Sequence, residues 1–133
     1  MNIWAVGAGG FAGAILRYLA GKWIPLIDGF PLGTLFVNLV GCFFLAWFFT
    51  ITTRKWTIPP ALKLSIGTGI LGSFTTFSTF SLETVHLLQQ HYYYYALCYV
   101  LLSTIGGIAF AIIGAKLGSL NTPPDRKLKG ESK

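Results

Sequence analysis

Residues 32–53 contain no charged side chain. That run meets the roughly 20 apolar residues that a helix needs to cross hydrocarbon. Three more apolar segments accompany it, at residues 3–20, 61–88 and 93–117, and the third is interrupted near Gly72. The connections are short: residues 21–31 carry the turn formers Pro25, Asp28 and Gly29, and residues 54–60 and 89–92 make the other two. Over the whole chain 53% of residues are hydrophobic and 11% charged, against about a quarter charged in soluble domains. The pattern predicts an all-α membrane protein with four transmembrane helices, the third broken near its middle. Residues 1–118 form the transmembrane domain, and residues 119–133 a polar, Pro-containing, disordered tail.

The net charge of +6 reads as membrane topology rather than nucleic-acid binding, because the basic residues gather in one connection and the tail. Trp4, Trp23, Trp56 and the tyrosines at 92–95 fall near helix ends, where amphipathic rings favour the headgroup level. His86 and His91 flank the same boundary as ordinary interfacial residues. Cys42 and Cys98 lie in apolar stretches and suggest neither a disulfide framework nor a metal site. No basic n-region marks a cleavable signal peptide. No nucleophile–base set or metal cluster points to an enzyme. Gly7-Ala8-Gly9-Gly10-Phe11-Ala12, with Asp28 beyond it, matches a dinucleotide fingerprint on paper. Alternating strands and helices are missing, so Gly9 and Gly13, like Gly114 and Gly118, read as small-xxx-small faces for close helix packing.

The segment Thr75-Thr76-Phe77-Ser78-Thr79-Phe80-Ser81 places five hydroxyls and two aromatic rings where lipid rewards neither donors nor breakable backbone. Phe77 and Phe80 share a helical face, which Glu83 continues. A ring has a positive edge that can solvate an anion weakly, and the hydroxyls, Thr79 among them, supply stronger donors. Weak binding at several sites is what conduction requires. Thr34, Asn38 and Gly41 share one face of the second segment; the Asn38 amide either bonds another helix or points into a permeation path. Tyr99, Ser103 and Gly107, with Thr104 adjacent, make a polar track on the fourth segment, or hydroxyls that bond back to their own helix. Arg17 either snorkels to the headgroups or draws anions to a pore mouth. Glu83 gates or shapes the vestibule.

At these motifs the chain resembles the Fluc (CrcB-type) family of bacterial fluoride channels. The stretches that carry the resemblance are GGFAGAILRY (9–18), PLGTLFVNLVG (31–41) and GILGSFTTFSTFS (69–81); the fourth segment matches only in character. The resemblance implies an antiparallel dimer with two pores along the subunit interface. It implies that Phe77 and Phe80 line those pores, that Asn38 is the pore asparagine, and that Arg17 is the first-helix arginine. It also implies a structural Na+ at the dimer centre, held by backbone oxygens at Gly72 and Thr75. Ser73 and Gly107 depart from the pattern, standing where a second glycine and a serine are common.

The reading is a passive fluoride channel that exports cytoplasmic fluoride across the bacterial inner membrane, with fluoride, the bilayer and a second subunit as its partners. A small four-helix drug–proton antiporter is the alternative, and Glu83 is its sole candidate carboxylate. Arg54, Lys55, Lys63, Lys116 and the tail cations Arg126, Lys127, Lys129 and Lys133 share one side, against Arg17 and Lys22 on the other. That imbalance resists insertion in both orientations, and leaves a homodimer and a heterodimer with a related, oppositely oriented chain both open.

Overall fold

The computed structural model describes residues 2–120. Most of the expected tail, with its four cations, lies outside the described residues. Ser119, at its expected start, instead closes a helix.

The chain runs through α1 (Ile3–Trp23), α2 (Leu32–Arg54) and α3 (Pro60–Leu64), then a π-helical stretch (Ser65–Leu71), α4 (Gly72–Phe74), α5 (Phe77–Gln89) and α6 (Tyr93–Ser119). Among the described residues, α1, α2 and α6 are each long and apolar enough to cross a membrane. Much large apolar surface faces outward, including Trp4, Phe11, Phe77 and Ile105. That surface suits hydrocarbon or a partner, and would be costly in water.

The turns follow local chemistry. Asp28 (φ 50°) and Gly29 (φ 82°) sit between the bridged pair Ile27 and Phe30. Two positive φ values in succession define a tight primed turn, which Asp-Gly favours. Asp28 therefore reverses the chain between α1 and α2. The α5–α6 turn ends in a left-handed residue, His91 (φ 62°). There the Tyr92 amide donates to Leu87 O and the His91 amide to Leu88 O, the doubled C-cap that satisfies orphan carbonyls.

Small residues set the close contacts. A Cβ at Gly9 would strike the carbonyl of Ser65, and one at Gly13 that of Ile70. The expected face of α1 thus lies directly on the π-helical stretch. Gly114 and Gly118 do the same for α6, lying against the backbone of α2 at Phe43 and Trp47. The core sits at the other end of this helix pair, where Leu35, Leu87, Ala96 and Tyr99 pack with Phe30, Leu39 and Phe80.

The discontinuity falls later than Gly72. Gly72 is helical (φ −66°, ψ −33°), whereas Thr75 (ψ 153°) and Thr76 (φ −146°, ψ 123°) are extended. The glycines at 67, 69 and 72 are absorbed by the π-helical widening and α4. The β-branched pair, whose χ1 freedom is restricted in helices, takes the extended step instead. Thr76 then caps α5, its Oγ1 accepting from the Thr79 amide at 3.2 Å.

Candidate functional site

The extended step is held in place by α2. Asn38 Nδ2 donates to Thr76 O at 3.0 Å, and the Thr76 amide donates to Asn38 Oδ1 at 2.8 Å. The side chain thus takes the amide that the break leaves without a helical acceptor, and adds a donor to Thr76 O, which as N-cap also accepts the first bond of α5; Thr76 is 9% exposed. The rest of the Asn38 face follows: Thr34 Oγ1 donates to Glu83 Oε1 at 2.9 Å, and Gly41 lies against the Thr75 methyl. Of the two readings open for Asn38, the structure gives the interhelical bond.

The break diverts helical donors. In a continuous helix the Thr76 amide would bond Gly72 O, and the Thr79 amide would bond Thr75 O. Here the first goes to Asn38 and the second to the Thr76 hydroxyl. Gly72 O receives a long 3.4 Å contact from Thr75 Oγ1. Two carbonyls are thereby released from the helix ladder at one place. No group of three or more His, Cys, Asp or Glu side chains stands ready for a metal among the described residues. A cation held here would take backbone oxygen, the donor type that suits hard ions.

Beyond the break a line of aromatic and hydroxyl groups runs along α5 and α6. Phe77 is 79% exposed. Its ring centroid lies 5.8 Å from that of Phe80, which lies 5.1 Å from that of Tyr99. Tyr99 is fully buried, and its hydroxyl donates to Glu83 Oε2 at 2.7 Å. Glu83 stands at mid-α5 and joins α2, α5 and α6 through both carboxylate oxygens. Ser103, one turn beyond Tyr99 on α6, keeps a buried Oγ with no hydrogen-bond partner among the described residues. Gly107, one turn further, is buried against Cys42.

A cleft of about 710 Å³ opens at the end of the molecule holding the α1–α2 turn. Arg17, Lys22, Thr34, Thr76, Thr79 and Glu83 line it. Arg17 thus faces the same space as the hydroxyls of the break. Thr104 is exposed and does not line this cleft; its neighbour Ser103 carries the buried hydroxyl. Within the run, Thr75 and Ser81 bond back to Leu71 O and Phe77 O, as Thr84 beyond it does to Phe80 O; the Thr76 hydroxyl caps α5 and donates to Thr79 Oγ1, and both residues line the cleft.

Sequence reasoning does not find the role of Ser73. Its Oγ donates to Gly10 O at 2.7 Å, tying α4 to α1 just ahead of the break. The Glu83–Tyr99 bond is equally silent, although the shared face of Thr34 and Asn38 was a signal that both side chains meet one neighbour.

The fold and site together define a multi-pass helical membrane protein with a cleft lined by Arg17, Thr76, Thr79 and Glu83 beside the extended step at Thr75–Thr76. The chain belongs to the family described as CrcB-like protein, Camphor Resistance (CrcB), whose model matches residues 4–115. It is 45% identical over 116 residues to "Fluoride-specific ion channel FluC" of Oceanobacillus iheyensis, covering 87% of this chain and 90% of that one. It is 42% identical over 125 residues to "Fluoride-specific ion channel FluC 2" of Geobacillus kaustophilus, covering 92% and 94%. A relative from Chlorobium phaeobacteroides, also named "Fluoride-specific ion channel FluC", is 41% identical over 116 residues, covering 86% and 91%.

Proposed function

We propose that this chain forms a passive, fluoride-selective channel of the bacterial cell membrane. The observation that carries the reading is the break at Thr75–Thr76, pinned by Asn38, which leads into the Phe77–Phe80–Tyr99 aromatic line and the unpartnered Ser103 hydroxyl. Ring edges and single hydroxyl or amide donors interact with a small anion at many weak points, which permits both entry and exit. Arg17 and Lys22 at the cleft raise the local anion concentration. Export needs no fuel: an inside-negative potential of 100 mV drives an anion outward with about 2.3 kcal/mol per charge.

In this reading α3 through α5 complete a fourth crossing, and two chains assemble antiparallel. The exposure of Phe77, whose ring is tilted against that of Phe80, supports a path shared with a second subunit. The carbonyls of Gly72 and Thr75, released from the helix ladder, would hold a Na+ between the subunits. Its role would be structural, a positive charge satisfying oxygens that assembly of two chains would bury. The drug–proton antiporter is disfavoured because both oxygens of Glu83 are engaged by the hydroxyls of Thr34 and Tyr99, and because the relatives bear channel names.

Reconstitution with Phe77→Ile and with Phe80→Ile tests the path. Each substitution is expected to depress fluoride efflux at least tenfold while the protein still elutes as a dimer. Wild-type flux in both would reduce the rings to packing. Orientation is tested separately. Among the described residues Arg54, Lys55, Lys63 and Lys116 lie at one end, opposite Arg17 and Lys22. Mixed orientation of C-terminal reporter fusions, together with fluoride resistance, is the result expected of a homodimer. A uniform orientation without resistance, rescued by a second related gene, would instead establish a heterodimer.

A further inference from the structure

The end of the molecule opposite the cleft carries a second built feature. A groove of about 550 Å³ lies between the C-terminal turns of α2 and α6. Arg54 and Lys116 line its mouth, with the hydroxyl residues Thr50 and Thr53. Phe49 and Ile112 form its apolar floor. Two further cations stand at the rim. Lys63 Nζ lies 3.4 Å from Thr53 Oγ1 and 5.8 Å from the centre of the Phe49 ring. Lys55 Nζ donates to Leu120 O, beside the end of α6. Neither described acid is at this end: Asp28 sits in the α1–α2 turn and Glu83 lines the opposite cleft.

Charge decides what this groove accepts. The C-termini of α2 and α6 each present about half a negative charge. Against roughly one negative charge in total stand four cations, so the mouth favours an anion. The geometry narrows the anion. The groove lies between two helices long enough to span a membrane, and its charged mouth sits over an apolar floor. The edge-to-face pair Trp47 and Trp56, 5.9 Å apart, marks the same level, as expected of rings at a headgroup boundary. A free phosphate would use the mouth and leave the floor empty. A phospholipid uses both.

We infer that this groove is a seat for one anionic phospholipid, its phosphodiester between Arg54 and Lys116 and an acyl chain along Phe49 and Ile112. The seat is separate from the ion path and does not depend on which ion the path conducts. Basic pockets between transmembrane helices bind anionic headgroups in this manner.

The test uses the full chain carrying Trp4→Phe and Trp23→Phe, which leaves Trp47 and Trp56 as reporters beside the groove. The protein is placed in phosphatidylcholine vesicles, and tryptophan quenching is followed as brominated phosphatidylglycerol or brominated phosphatidylcholine is titrated in. Quenching by the anionic lipid is expected to saturate at a several-fold lower mole fraction. Each cation removed is expected to cost roughly fivefold in that preference, up to its full loss. The pair Arg54→Gln with Lys116→Gln should therefore bring the two curves together, while Lys22→Gln at the opposite end leaves them apart. Coincident curves in the parent protein would overturn the inference, and so would an undiminished preference in the double variant. Loss of the preference on adding inorganic phosphate, but not chloride at matched ionic strength, would assign the groove to a free anion and overturn the lipid seat. Retention under phosphate supports it.

Discussion

Replacing Asn38 by Ala removes the side chain that, among the described residues, pairs with the Thr76 backbone, and the cost can be bracketed. The variant loses the 3.0 Å bond to Thr76 O and the 2.8 Å bond from the Thr76 amide. If the freed groups found other partners within the membrane, each bond would be worth about 0.6 kcal/mol, the average for interhelical bonds in lipid, or about 1 kcal/mol together. If the Thr76 amide stayed buried and unsatisfied it would cost about 1–3 kcal/mol; Thr76 O keeps its α5 donor as the N-cap carbonyl, so with the lost bond to it the total would be about 2–4 kcal/mol. Thr76 is 9% exposed, and its own hydroxyl is committed to Ser78 and Thr79. Relaxation is therefore restricted, and the account expects at least about 2 kcal/mol. Reversible unfolding in mixed micelles measures the difference, and hydrogen exchange at the Thr76 amide localises it, with an expected acceleration of about 30-fold for 2 kcal/mol. A cost below about 1 kcal/mol, with Thr76 exchange unchanged, would refute the claim that Asn38 holds the break.

Two further substitutions examine contacts near the path. Tyr99→Phe removes a hydroxyl that donates to Glu83 at 2.7 Å. It is expected to destabilise the protein by about 1.5–3 kcal/mol, the range for hydrogen bonds to charged groups, with a smaller loss in a background already carrying Thr34→Val; a double-mutant cycle of unfolding free energies checks this. Ser73→Ala loses the bond to Gly10 O and should cost about 1 kcal/mol together with faster exchange in α4, both measurable on the same samples.

What the sequence discloses depends on whether the determining interaction is local. The edges of α2 and α6 are legible to within two residues, because an apolar run, free of charge in α2 and carrying only Lys116 near its end in α6, meets charge or turn chemistry on each side. The α1 face is legible too, since Gly9 and Gly13 repeat at helical spacing and meet backbone where that spacing places them. The position of the break is less so. Glycines at 67, 69 and 72 draw attention to Gly72, but the step falls at Thr75–Thr76. Glycine permits a break without requiring one. The step forms where Asn38, 38 residues away in sequence, supplies substitute partners. The Ser73–Gly10 and Glu83–Tyr99 bonds escape for the same reason, being products of packing between helices. The likeness of PLGTLFVNLVG and GILGSFTTFSTFS to the family compensates in part: it marks Asn38, Phe77 and Phe80 together without revealing that Asn38 bonds to the residue ahead of Phe77.

Fluoride selectivity is read most plainly from ion efflux out of liposomes holding the purified wild-type protein. Vesicles loaded with fluoride or with chloride are released into ion-free buffer with valinomycin to balance charge, and each anion is followed with its own electrode. The account predicts rapid fluoride efflux and chloride efflux indistinguishable from protein-free vesicles. Equal rates for the two anions, or no fluoride efflux from a folded and dimeric protein, would contradict it.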